Sequence, residues 1–158
     1  MIRDATTADL EALVGIMKQF HAAAELKRWA RFEHVEDHWR AWILSMIEDE
    51  GSMSLVSEDD GVVVGTAGCA LYHPFAIPVI TYSTCHIWVD KDHREKGHTK
   101  ALLEASETWA KEHGANMMAV GSQHLPQCQP KQAQALYKSI GFKLEDKHYV
   151  KEFSKCHR

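Results

Sequence analysis

The stretch HREKGHTKALL, residues 93 to 103, brings Arg94, Lys96, Gly97, Thr99 and Lys100 together just after the strand-like TCHIWV. A helix that opens here presents first-turn N–H groups with no intrahelical partner. Its dipole places partial positive charge at the same end, so an anion such as a phosphate chain is favoured there. Gly97 lets a ligand approach the backbone closely, and Arg94, Lys96 and Lys100 add local cationic charge. The same residues also suit a solvated polar turn before a helix. The spacing alone leaves both readings open.

The chain of 158 residues carries a net charge of −4, with 45% hydrophobic and 25% charged residues. These values are those of one globular domain spanning 1–158. An acidic protein has no basic field for nucleic acid or an anionic membrane, so neither is expected as a partner and any phosphate site must be local. No apolar run reaches the roughly 18 residues of a membrane span. MIRDATTADL lacks the apolar middle of a signal peptide, and Cys69, Cys85, Cys128 and Cys156 stand without CxxC pairing. A cytoplasmic setting with reduced thiols is therefore expected. His34 and His38 could share one helical face, but no third ligand follows at a telling spacing, and no metal is expected.

The elements that must position the loop can be read in order. MIRD reads as a short strand. Thr6 with Asp9 forms a capping-box variant before a helix running to about Glu25. A second helix is expected from about Val35 to Glu50, stopped by Gly51. SMSLVSEDDGVVVGTAGCALY reads as a hairpin turning at Asp60-Gly61. Residues 79 to 89, VITYSTCHIWV, form a long strand rich in β-branched and aromatic residues, and a helix from about Gly97 to His113 follows. NMMAVGS reads as a short buried central strand, KQAQALYKSI as a helix, and FKLED and HYVKEF as two final strands. Strands and helices intermixed in one short chain specify an α/β or α+β architecture around a mixed sheet.

Four segments in this order resemble the GNAT superfamily of acyl-CoA-dependent N-acyltransferases: MIRDATTADLEAL, GVVVGTAGC, HIWVDKDHREKGHTKALLEASETWAKEHGA and AQALYKSIGFKLEDKHYVKEF. Val89 to Leu103 falls on the family's R-x-x-G-x-G/A loop. ALYKSIGF is similar to its A-x-x-x-Y-x-x-x-G-F pattern, with a looser start. The resemblance covers nearly the whole chain, with Lys27 to Glu50 in a family-variable region. It implies a single-domain fold with a mostly antiparallel sheet flanked by helices and splayed at its central strands.

The resemblance also implies acetyl-CoA as cosubstrate, with its pyrophosphate on Arg94, Glu95, Lys96, Gly97, His98 and Thr99. The pantetheine arm would lie along the strand of Ile87, Trp88 and Val89, bonded to backbone like an added strand. A primary amine of a small molecule or protein would attack the thioester directly. Tyr137 would give a proton to the departing thiolate, since a phenol of pKa near 10 is protonated at neutral pH. The amine must lose a proton, and His86 and His124 are the candidate bases. If Ile87 and Val89 face the core, His86 lies on the opposite face with Trp88; a sheet histidine covered by a helix is the competing role.

Thr99 stands where the family usually has Gly or Ala. Pro130 stands where many members have Asn, and it has no N–H to donate. A non-catalytic acyl-CoA-binding or protein-interaction module on the same fold is the alternative function. The aromatic segments KRWARFE and YHPFAIP could rim an acceptor site or form a homodimer contact.

Overall fold

The computed structural model describes residues 1–23, 35–72, 78–121 and 130–144. Strand β1 (Ile2–Asp4) leads through a short 3-10 turn into α1 (Leu10–Ala23), and α2 (Val35–Glu48) follows. Then come β2 (Ser52–Asp59), β3 (Val62–Tyr72), β4 (Thr81–Val89), α3 (His98–Glu112), β5 (Met117–Ala119) and α4 (Pro130–Ser139). The sheet order is β1-β2-β3-β4-β5, antiparallel except for the parallel pair β4–β5. This is the mixed, mostly antiparallel sheet with flanking helices that the sequence specifies.

Local chemistry explains the connections. Asp60 (φ 49°) and Gly61 (φ 78°) are both left-handed, the backbone a two-residue hairpin needs to match strand twist. Apolar residues of α1 at helical spacing (Leu13, Val14, Met17, Phe20) are buried together with Ile43, Val56 and Trp88 on one face of the sheet. Leu55, Ala67, Tyr82, Ile87 and Val89 pack on the other face with Leu102 and Leu103 of α3 and Ala133 and Tyr137 of α4. The result is a sheet covered on both sides.

The N-terminus is tied in by a charged junction. Arg3 forks onto Asp9, with its two Nη groups donating at 2.8 and 2.9 Å, while its Nε donates to Glu58 at 2.8 Å. Asp9, itself buried, also accepts from the Thr6 N–H at 2.8 Å and from the Thr6 hydroxyl at 3.0 Å. The expected capping box is thus present, and it joins β1, β2 and the start of α1.

Two expectations differ from the fold. Met117 and Ala119 are exposed and Met118 is half-buried, so the described NMMAVGS strand is not a buried central one. It pairs with only the first part of β4, and no other described strand pairs with it. Phe142 to Leu144 are not in a strand; the remainder of the two C-terminal strands, His34, KRWARFE, His124, Cys128, Cys156 and most of YHPFAIP lie outside the described residues. No described helix is long and apolar enough to cross a membrane.

The Arg3 guanidinium, aided by the Thr6 N–H and hydroxyl, holds the Asp9 carboxyl well below the usual carboxylate range, against the opposing effect of burial. A depressed folded-state pKa gives stability that is present above the ordinary carboxyl value of about 4 and lost as pH falls below it. Asp9→Asn is expected to cost about 1–3 kcal/mol at pH 7, with one charged hydrogen-bonding partner removed. In urea denaturation the wild-type advantage over this variant should shrink steadily below about pH 4; a difference independent of pH would refute the assignment.

Candidate active site

The site begins with the register of β4. On one side it pairs with β3 along its whole length, but the ladder jumps between Gly68↔His86 and Cys69↔Thr84, leaving Cys85 as a bulge residue. The extra residue reverses the alternation of side chains. Before it, Tyr82 faces α3; after it, Ile87 and Val89 do. His86 and Trp88 are thereby turned to the face covered by α1 and α2.

On its other side β4 pairs with β5 only at Thr81↔Met117, Tyr82↔Met118 and Ser83↔Ala119. Beyond Ser83 the two strands part. The Asp90 N–H donates to Val64 O at 2.8 Å, so it faces β3. Successive residues of a strand point their N–H and C=O to opposite sides. Ile87 and Val89 therefore turn theirs to the edge that β5 leaves open.

The loop of residues 90–97 lies at the end of that open edge. Asp90 starts a 3-10 turn over Lys91–His93, with its carboxylate accepting from the Lys91 N–H at 2.9 Å. Glu95 (φ 66°) and Gly97 (φ 88°) are left-handed, a conformation that costs little for Gly97 but is uncommon for glutamate. Gly97 is the N-cap of α3 with no side-chain cap, and the Ala101 N–H is the one that bonds back to Gly97 O, at 3.0 Å. The N–H groups of His98, Thr99 and Lys100 are left pointing out of the helix end.

Side chains around this backbone are mostly engaged elsewhere. His98 Nδ1 lies 2.7 Å from the hydroxyl of buried Ser57 on β2, which anchors the first residue of α3 to the sheet. Lys96 reaches Asp59 at 3.4 Å, and Lys100 reaches Glu104 at 3.6 Å. Both are exposed pairs and hold their partners weakly. Thr99 is half-buried in the first turn, and its N–H remains available. Arg94 donates from Nε to Val89 O at 3.1 Å, and its guanidinium lies 4.8 Å from the centroid of the Trp88 ring. What the site offers an anion is chiefly backbone.

Tyr137 of α4 is buried in the same cluster as Ile87 and Val89, and its hydroxyl donates to Gly121 O at 3.2 Å, just past the end of β5. It thus belongs to the side on which the strands part. His86 is different. Its ring is 4% exposed, edge-on to Phe20 and Trp42, with Nε2 3.5 Å from the Thr66 hydroxyl. The expectation that His86 shares a face with Trp88 holds, yet α1 and α2 cover it. No three histidine, cysteine or acidic side chains converge as a metal site among the described residues, and His38 is exposed on α2. A cavity of about 540 Å³ lined in part by Asp4, Asp49, Trp109 and His113 lies at the opposite end of α3 and shares no residue with the loop.

A family model described as the acetyltransferase (GNAT) family matches residues 16–142, which include the split strand, the loop and Tyr137. The chain belongs to the GNAT acetyltransferase family. Solved structures agree in fold. The structure of AAC(6')-Iy in complex with the bisubstrate analogue CoA-S-monomethyl-acetylneamine matches with a TM-score of 0.75 at 20% identity, covering 98% of this chain and 97% of that one. A ribosomal-protein-alanine N-acetyltransferase from Brucella melitensis biovar Abortus 2308 gives 0.71 at 20% identity, covering 97% and 99%. A mutant of the BH1408 protein from Bacillus halodurans gives 0.77 at 20% identity, covering 98% and 99%. No curated protein matches the chain by sequence.

Within this GNAT domain, sequence reasoning passed over Gly68 and Cys85. A glycine inside a strand pattern is itself a signal of close approach. A Cβ at Gly68 would stand 2.3 Å from His86 Cε1 and 3.1 Å from Met46 Cε, so the buried imidazole occupies the space glycine leaves. Gly68→Ala is expected to cost about 1–3 kcal/mol through overpacking and to alter the near-UV circular dichroism of the aromatic cluster. Gly15→Ala, in α1 with nothing within 4 Å of the new Cβ, should instead stabilise by up to about 1 kcal/mol. Equal effects of the two in urea denaturation would count against the packing account.

Proposed function

We propose that this GNAT-family chain is an N-acetyltransferase that passes an acetyl group from acetyl-CoA to a primary amine of a small molecule or a protein. The observation that carries the reading is the edge of β4 at Ile87 and Val89, with which no described strand pairs, ending at the N-terminus of α3. An extended amide-bearing arm can pair with Ile87 and Val89 as an added strand. A pyrophosphate at the end of that arm reaches the N–H groups around Gly97, His98 and Thr99. Both needs are met at the spacing of one strand end.

Acetyl-CoA supplies an acetyl thioester. The amine nitrogen adds to its carbonyl carbon, the new C–N bond forms and the C–S bond breaks. Tyr137, whose phenol is a donor at neutral pH, gives its proton to the departing sulfur instead of to Gly121 O. The amine's proton passes to water. His86, covered by Phe20 and Trp42, is read as part of the wall on the acceptor side rather than as the group that takes that proton.

The two departures from the family pattern sit where they do little harm. Thr99 keeps its N–H, and its side chain stands on a helical turn that already lacks a cap. Pro130 is the first residue of α4, a position where the missing N–H has no intrahelical partner to lose. Neither observation favours the non-catalytic module.

Calorimetric titration should give micromolar binding of acetyl-CoA to the wild type and none to Gly97→Trp, which combines a bulky side chain with a left-handed backbone position. Tyr137→Phe should retain binding while turnover with amine acceptors falls by about a hundredfold or more. Absence of binding to the wild type would overturn the proposal; an unchanged rate in Tyr137→Phe would remove its acid role alone.

A further inference from the structure

We infer that Trp88 is a positioning residue for the phosphate loop, acting through Arg94; this rests on the acetyl-CoA reading of that loop. Trp88 is almost fully buried, and its side chain lies on the face of β4 opposite the core of Ile87 and Val89. It cannot meet a ligand running along the open edge as those residues' backbone can. What it does meet is Arg94, whose guanidinium lies 4.8 Å from the indole centroid. Arg94 also spends its Nε on the carbonyl of Val89, at 3.1 Å.

These two contacts fold the arginine back over the strand end and fix where the chain departs into the left-handed Glu95 and Gly97. A guanidinium held over an indole by its charge uses no N–H donor in that contact. The Nη groups of Arg94 form no hydrogen bond or ion pair among the described residues. The loop is therefore held by a contact that leaves donor capacity toward an anion.

The indole is itself oriented. Its N–H donates to Gln19 Oε1 on α1 at 3.2 Å, and Phe20 lies against it edge-on with centroids 6.2 Å apart. A line of contacts thus runs from α1, through Trp88, to Arg94 and the loop. Helix α1 covers the sheet face on which His86 lies, so packing on that face bears on the loop that would hold the cosubstrate.

A double-mutant cycle tests this. Trp88→Leu should weaken acetyl-CoA binding about three- to tenfold, the range of one partly exposed cation–π contact, with kcat within twofold of wild type. Trp88→Phe, which keeps a ring face for Arg94, should recover most of the affinity. In Trp88→Leu/Arg94→Ala the loss should be no greater than in Arg94→Ala alone; additive losses would overturn the inference. Amide hydrogen exchange at residues 95–99 provides a readout independent of the cosubstrate. It should quicken in Trp88→Leu even if the wild type binds no acetyl-CoA, which would separate failure of the functional reading from failure of this one. Should Trp88→Leu not fold, Arg94→Met leaves the core intact and should quicken the same amides; unchanged exchange there would overturn the inference.

Discussion

A strand edge left without a partner inside a sheet is costly, because each backbone N–H and C=O removed from water needs a hydrogen bond. From Thr84 to Val89, β4 has β3 on one side and no described strand on the other, since β5 pairs only as far as Ser83. Everything else in the site is arranged around that edge. The two cores hold β4 in place from both faces, with α1 and α2 packing on one and α3 and α4 on the other. Arg94 takes up the carbonyl of Val89 at the strand's end. On the proposed function, the remaining donors and acceptors would pair with an extended ligand whose own amides continue the sheet.

The bulge at Cys85 is the second constraint, and it follows from the first. One inserted residue re-phases the strand, so that Ile87 and Val89 join the core against α3 while His86 and Trp88 join the core against α1. The glycine opposite His86 accommodates the imidazole, and the Thr66 hydroxyl donates to Leu55 O at 2.8 Å beside it. Burial also governs the thiols on these strands. It pushes the Cys69 thiol up to about 12, and Cys85 is raised for the same reason, so neither is a ready nucleophile near neutral pH.

An acidic chain can still hold an anion when the positive potential comes from backbone. The basic cluster of the loop looks strong as a list of residue types, yet Lys96 faces Asp59 and Lys100 faces Glu104. These exposed pairs contribute little and are screened by salt. The oriented N–H groups at the end of α3 act at hydrogen-bonding distance, in the first turn where the partial charge of the helix end is concentrated. On the proposed function, selectivity for a phosphate chain would depend on the backbone shape of 94–99 more than on the count of lysines.

Much of this was legible in the chain. Period-two and helical spacing located β2, β3, α1, α2 and α3 to within a few residues, and Asp60-Gly61 announced the hairpin turn, because these patterns reflect local backbone preferences. The place of the loop before α3 and the family were also readable, since short motifs set particular residue types at particular spacings. The sequence misjudged the exposure of β5, and it was silent on the bulge, on where β4 and β5 part and on the placing of the Arg94 guanidinium over Trp88. VITYSTCHIWV is apolar on both faces, so nothing in its pattern marks a change of phase at Cys85. Such features are set by partners distant in the chain: Gly68 across the ladder, Ala119 where the parallel pairing stops, and Gln19 behind the indole. Residue type determined the chemistry available to this protein; only the tertiary fold decided which face and which edge each group would serve, because a strand's two sides become different only when its neighbours are in place.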